Sequence, residues 1–533
     1  MREDTVPKKH LSVRRVVLCA AVALIFFSRL PGLMHNSSLH SDENVFYNSA
    51  SNLAACLMGD AGSYEPTKFY PEGGFTLHMP FQLLRVLLGS EARQLWGRIG
   101  GLVYFILGTV MGLHVLRRYL SNDPVSTLVY LATMLFGVMH IEQSRYATGD
   151  TATFFLLMVL LSFSARGMEE KSLHWFFLAS MAGGMLTAVK YPLVFFLLIP
   201  FLGYRKAFTP AGKSFWVKNT ALAAGCFLAG FLLLSPKTLT SPAFLFWTAA
   251  HETHNYMAGS NLTEVGGPLN HLISVTAYTL LYAGFPILGG AAVLHLGKGI
   301  PAAKAANGCE YLFRFLIPLI TAGFFVYNLF VTAVFLRTYY PFFVILDLYC
   351  AALCGRWWKD GRKKRNLVTV LSLLLVLRGG AYLYILGTDN GVDTMKTVLS
   401  QIPEDSYTAI TELKPGHMAF DQKDLPQKDF EAVDLEDSRF DTAEGMELRE
   451  GELLISTYLE KCIGTPYYLP ISHTRVNGYI TRWAEFREIN DKYLVGQLYP
   501  DSWYLLFGFW VKGSTGTVFE FPCNLFFLRP VSG

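Results

Sequence analysis

Apolar residues in this chain do not alternate with polar ones over short periods; they run together in long blocks. Windows of roughly 20 residues, the length that crosses about 30 Å of hydrocarbon, lie near 11–33, 95–116, 125–141, 151–167, 173–189, 190–204, 219–236, 271–296, 312–336, 339–355 and 367–387. The pattern predicts about eleven transmembrane helices. The 173–204 region reads as two short helices hinged near Lys190-Tyr191-Pro192 or as one long kinked run, because proline removes a backbone donor there. Beyond about residue 388 the blocks shorten to pieces such as SYTAI, ELLIST and TVFEF, and charges return. The chain therefore divides into a mainly α polytopic membrane part, 1–387, with an outer loop at 34–94, and a soluble α/β domain, 388–533. Within that domain, MKTVLSQIPEDSYTAITE predicts a helix, a turn at Pro403-Glu404-Asp405 and a strand, while Glu412 to Glu452 reads as acidic loop.

Composition agrees with the blocks. A chain of 533 residues that is 52% hydrophobic and only 16% charged, with a mean hydropathy of +0.32, is too apolar to be soluble. The net charge of +4 comes from short clusters rather than one basic face, which argues against a nucleic-acid partner. Eight cysteines show no CxxC or Cys/His spacing, and Cys19, Cys226, Cys350 and Cys354 sit inside apolar blocks, so a cysteine-type zinc site is not supported. Cys462 and Cys523 fall in the soluble domain, where a disulfide is permitted.

The cations set the orientation. Lys8, Lys9, Arg14 and Arg15 precede the first block; Arg117/Arg118, Arg166/Lys171, Arg205/Lys206/Lys213/Lys218, Lys298/Lys304 and the cluster from Arg356 to Arg365 follow later ones. With eleven spans every cluster lies on one side, which the positive-inside rule makes cytoplasmic. The first block is then a signal anchor, since no small-residue cleavage pattern follows it. The opposite side receives the loop 34–94, the short loop with Glu142, Arg145 and Asp150, the loop 237–270, the Arg337-Thr338-Tyr339-Tyr340-Pro341 corner and the soluble domain.

The adjacent acids Asp42 and Glu43 open that outer loop in HSDENVFYNSA. The loop is aromatic and proline-marked, with Tyr64, Pro66, Phe69, Tyr70 and Pro71, more like a packed re-entrant structure than a slack connector. On the same side stand Arg98, Arg145, Lys190 and Arg337. Acids beside isolated cations at an apolar–water boundary suit a phosphate-headed lipid: the cations compensate the phosphate and a carboxylate handles a proton. Arg145 and Asp150 are five apart, so they read as a loop arginine and a carboxylate near the next helix start, where the dipole favours negative charge. HETHNY puts His251 and His254 three apart in a loop; without HExxH spacing they read as polar or acceptor contacts, with a divalent metal as the other reading. Two sequons, at Asn36 and Asn261, matter only in a host that glycosylates asparagine.

SDENVFYNSASNL, FYPEGGFTLHMPFQLLRVLLGS leading into LWGRIGGLVYFILG, SRYATGDTATFFLLM, AVKYPLVFFLLIP and FLRTYYPFFVILDL occur in an order that resembles the GT-C superfamily of polytopic glycosyltransferases. The likeness is to the branch of protein O-mannosyltransferases and of the aminoarabinose transferase of lipid A. It spans nearly the whole chain. It implies a GT-C fold and transfer of a sugar, with inversion, from a polyprenyl-phosphate donor to a hydroxyl of a protein, lipid or glycan acceptor on the non-cytoplasmic face. Asp42 matches the acid of the first outer loop proposed as catalytic base, with Glu43 and Asp150 as supporting acids. Arg337 and Tyr340, in RTYYP, match an Arg-Tyr entry into a late span, although a Thr separates Arg337 from the first Tyr. Lys190 matches a KYP turn; it and Arg98 join the lipid-phosphate set, with organising the first outer loop as the other reading of Arg98, and Tyr70, Arg145, His251 and His254 form the substrate set. Superfamily members differ in metal need. The membrane reads as a bacterial inner membrane, with endoplasmic reticulum as the alternative. Two other classes stay open on the residues alone: a transporter or flippase of lipid-linked sugar, which needs intramembrane charge at mid-depth where the charges here read as lying near the outer ends, and a non-catalytic assembly subunit.

Overall fold

A computed structural model of the chain describes residues 8–34, 43–60, 70–208, 212–258, 268–269, 272, 275, 308–331 and 336–388, with strand residues at 408–411, 430–432, 452–456, 493–498, 502–506, 509–513 and 525–530. Fifteen helices are named from these residues. They are α1 (Lys8–Met34), α2 (Glu43–Leu57), α3 (Gly73–Leu87), α4 (Arg93–Val115), α5 (Pro124–Phe136), α6 (Val138–Arg145), α7 (Asp150–Glu170), α8 (Leu173–Val189), α9 (Leu198–Ala207), α10 (Lys213–Leu234), α11 (Pro236–Thr240), α12 (Pro242–Ala258), α13 (Gly308–Leu329), α14 (Tyr340–Lys359) and α15 (Arg362–Thr388).

Six helices among the described residues, α4, α7, α10, α13, α14 and α15, are long and apolar enough to cross a membrane, and the bent pair α5–α6 makes a seventh. The protein is an integral membrane protein, mainly helical. The helical blocks follow the apolar windows closely; the 271–296 window lies almost wholly outside the described residues. α7 packs against α4, α8 and α14. α14 is 89% buried along its apolar window, whereas the windows of α10 and α15 are only 22% buried and leave their leucines and valines facing outward. Outward apolar side chains are what a lipid-facing helix requires.

Two breaks depart from simple spans, and each has a local cause. The window at 125–141 is a helix pair bent by 55° at Gly137, whose backbone is extended. The break frees carbonyls of Met134 and Leu135, and Arg29 of α1 supplies their donor through Nη2 at 2.8 and 3.0 Å, while its Nε donates to Ser144 at 2.9 Å. A buried arginine thus closes the hydrogen-bond account of the bend. The second break settles the 173–204 region as two pieces: α8 ends at Val189, Lys190 is extended, and Tyr191–Leu197 forms a 3-10 turn that runs into α9. Pro192 stands early in that turn, where its missing N–H costs nothing.

The described part of the outer loop is mainly helical, α2 and α3 packing on each other and on α4. In the C-terminal part, strands β1 (Thr408–Thr411), β2 (Phe430–Ala432), β3 (Glu452–Ser456), β4 (Tyr493–Leu498) and β7 (Leu525–Pro530) form a mixed sheet in the order β2-β1-β3-β7-β4, and β5 (Ser502–Leu506) pairs with β6 (Phe509–Gly513). SYTAI and ELLIST contribute strands as expected. Phe430–Ala432 adds a strand within the stretch expected to be loop. The helix expected at MKTVLSQIPED and the TVFEF run lie outside the described residues.

Candidate functional site

Glu43 begins α2, and its side chain is completely buried. Its carboxylate accepts from Arg98 through Nε at 2.7 Å and Nη2 at 2.9 Å, and from the backbone N–H of Ala147 at 3.0 Å. One side chain therefore ties the start of α2 to α4 and to the turn between α6 and α7. Two-point geometry and a further N–H are what a buried carboxylate needs to offset its desolvation. Asp42, the acid one residue earlier, lies outside the described residues. Tyr47, one helical turn on from Glu43, is half-buried; burial first, and the Glu43 charge second, raise its phenol above the ordinary range, so it stays a neutral hydrogen-bond donor.

The turn 146–149 leads directly into α7, whose first residue is Asp150. A carboxylate there is favoured by the helix dipole. Asp150 accepts from the Thr148 hydroxyl at 3.2 Å and pairs with the Lys190 ammonium. Lys190 reaches it because α8 stops one residue earlier: the extended backbone at 190 turns the side chain out of the helical path towards the N-terminus of α7. Asp150 is buried while Lys190 keeps 23% of its side chain exposed, so the cation is the accessible member of the pair.

α3 is seated against the same region. Gly73 lies where a Cβ would meet the carbonyl carbon of Ala188 at 2.5 Å, and His78 Nε2 donates to the Thr148 carbonyl at 3.1 Å. Burial lowers the His78 pKa from its usual value. Glu72, immediately before α3, accepts from Ser235 at 3.0 Å and from the Lys237 N–H at 2.9 Å, capping α11 across the bundle end. Tyr70 is half-buried and its ring packs on Phe46 at 5.5 Å.

Tyr340 opens α14, and its ring lies 6.2 Å from that of Phe154, one turn into α7. Its hydroxyl is 3.2 Å from His140 Nδ1, and His140 Nε2 is 2.9 Å from Asp347 Oδ2. Asp347 is buried and its Oδ1 has no hydrogen-bond partner. This is a departure from the sequence reading, which put the charges near the outer ends: Asp347 stands seven residues into α14, about 10 Å along the axis from Tyr340. His140 was missed because its partners are 200 and 207 positions away. An aspartate inside the apolar run FFVILDL was the available signal.

Other expectations fall differently. Arg145 is at the C-terminal end of helix α6, not in a loop, and its Nη2 donates to Glu142 at 3.0 Å and to the Tyr146 hydroxyl at 2.5 Å. HETHNY is helical within α12, not loop, with His254 exposed and His251 half-buried. No group of three His, Cys, Asp or Glu side chains that could hold a metal occurs among the described residues. Arg337 is half-buried in the 3-10 turn Leu336–Tyr339 that feeds α14. Cys462 and Cys523 lie outside the described residues.

No family profile and no curated protein sequence matches the chain. Solved structures that align with it include two that cover most of both chains. One is ArnT from Cupriavidus metallidurans bound to undecaprenyl phosphate, at 12% identity and a TM-score of 0.48, covering 84% of this chain and 94% of that one. The other is the archaeal oligosaccharyltransferase AglB from Archaeoglobus fulgidus in complex with an inhibitory peptide and a dolichol-phosphate, at 10% identity and a TM-score of 0.44, covering 93% and 74%.

Proposed function

We propose that the protein is a membrane glycosyltransferase that moves a sugar from a polyprenyl-phosphate donor to a hydroxyl of a protein, lipid or glycan acceptor. The reaction takes place at the bundle end where α2, α3 and the α6–α7 turn converge, outward from a bacterial inner membrane. One observation carries the reading: Lys190 breaks the helical path to pair with the buried Asp150 while part of its side chain stays open. That is a cation held in place by a carboxylate behind it, with room to meet a phosphate in front. Arg337, half-buried at the entry of α14, completes the phosphate set in this reading, while Tyr340 is fully buried against His140.

Asp42 serves as general base. It takes the proton of the acceptor hydroxyl as the oxygen attacks the anomeric carbon from the face opposite the phosphate; the sugar–phosphate bond breaks and the configuration inverts. The departing lipid phosphate keeps its electron pair and is stabilised by the cations, without needing a proton. Glu43 and Arg98 fix the segment that carries Asp42, and so are positioning residues. Asp150 holds Lys190. Tyr70, Arg145, His251 and His254 remain candidates for sugar or acceptor contacts.

The test is turnover by the purified protein in lipid against a panel of radiolabelled polyprenyl-phosphate sugars, followed by release of lipid phosphate. The reading expects one donor to be consumed and Lys190→Gln to raise its KM by about tenfold or more, the scale of a charge-assisted hydrogen bond. If no donor is bound or consumed, the reading fails.

A further inference from the structure

At the other end of the bundle, away from this site, α8, α9 and α10 enclose an apolar groove of about 500 Å³. Phe176 and Ser180 of α8, Val194 of the 3-10 turn, Tyr204 of α9, and Ala223 and Phe227 of α10 line it. It opens sideways towards the hydrocarbon, since Val194, Leu198 and Phe201 on its rim are each more than 40% exposed.

The groove ends in positive charge. Tyr204, in its wall, is followed by Arg205 and Lys206, and Asn219, also in its wall, is preceded by Lys218. Arg205, Lys206, Lys213 and Lys218 are all exposed. From Tyr191 to Pro236 the chain holds four Lys and Arg and not one Asp or Glu. Glu169 pairs with Arg118 at 2.7 Å and Glu170 with Arg166 at 2.7 Å, and Lys206 lies 5.5 Å from the Tyr311 ring centroid, so Lys213 and Lys218 are the cations the site rests on. Tyr204, Phe208, Phe215 and Trp216 cluster between groove and cations, with ring centroids 4.8–6.2 Å apart. Such a belt marks the headgroup level.

An apolar slot, an aromatic belt and an excess of cations stacked in that order match the layers of one lipid molecule: acyl chain, glycerol and acidic headgroup. We infer that the groove between α8 and α10 binds an anionic phospholipid, its chain in the slot and its phosphate on the α9–α10 cations. Basic pockets between transmembrane helices hold acidic headgroups by this charge complementarity, each cation near the surface adding about fivefold to binding. The site does not depend on the reaction assigned to the opposite end.

The experiment uses the full chain in bilayer discs of phosphatidylcholine alone or mixed with phosphatidylglycerol, followed by detergent exchange and native mass spectrometry of the lipids retained. The wild type should keep phosphatidylglycerol in preference to phosphatidylcholine. Lys213→Gln with Lys218→Gln should cut that preference by about 25-fold. Ala223→Phe, which fills the slot, should reduce retention of both lipids; because it also changes packing, the two lysine substitutions at exposed positions decide the matter. Equal retention of the two lipids by the wild type, an undiminished preference in the lysine variant, or displacement of the lipid by inorganic phosphate alone would each overturn the inference.

Discussion

Glu43 and Arg98, 55 positions apart in sequence, meet as a two-point ion pair at 2.7 and 2.9 Å with both side chains buried. The pair joins the outer loop to the membrane bundle. Removing one member strands the other charge where water cannot reach it, at a cost of about 3–5 kcal/mol. Glu43→Gln should therefore lower the thermal midpoint strongly and expose the outer loop to protease. Glu43→Gln combined with Arg98→Met should recover much of that loss, because no buried charge remains unpaired. A double variant as unstable as the sum of the two singles would contradict this account of the pair.

Close approach of α3 to α8 depends on Gly73. A Cβ there would meet backbone atoms of Ala188 and Val189 at 2.5–2.8 Å, and backbone cannot step aside as a flexible side chain does. Gly73→Ala should cost about 1–3 kcal/mol, the usual penalty of overpacking, and lower activity through the displaced loop. Gly225 in α10 is the control: a Cβ there meets nothing within 4 Å, so Gly225→Ala should be neutral or slightly stabilising. Thermal melts of the two variants side by side check the contrast.

His78 gives the outer loop a pH dependence. Burial depresses its folded pKa, so the unfolded chain takes up a proton near pH 6.5 while the folded chain does not. Folding stability is complete above that pH and falls as pH drops below it, by up to about 1.4 kcal/mol per pH unit until the folded pKa is reached. His78→Gln should flatten this part of the stability profile measured between pH 7.5 and 5.5. An unchanged slope would assign the dependence to other groups.

Most of the membrane bundle was legible because bilayer thickness imposes helix-length apolar blocks on the sequence, and the described helices fall on those blocks. The hinge at Lys190-Tyr191-Pro192 was legible too, since proline is a local signal. The bend at Gly137 was not: its stability comes from Arg29, more than a hundred residues away. The same holds within the site. Asp150 and Lys190 were each picked out, but sequence carries no distance, so their pairing emerged only in three dimensions. Glu43 reads from the sequence as a support for its neighbour Asp42; that the residue it meets in space is Arg98 has no signal in the sequence. The His140–Asp347 contact left a trace only as one aspartate in an apolar run.

The central claim is that Asp42 takes the acceptor proton. Its most direct test is single-turnover release of lipid phosphate from the donor the wild type uses, with acceptor present, for Asp42→Asn beside the wild type. The account predicts a chemical step slowed by about a hundredfold or more with donor affinity preserved, the scale of a lost general base. A chemical step in Asp42→Asn as fast as the wild type's would contradict it and move the base elsewhere.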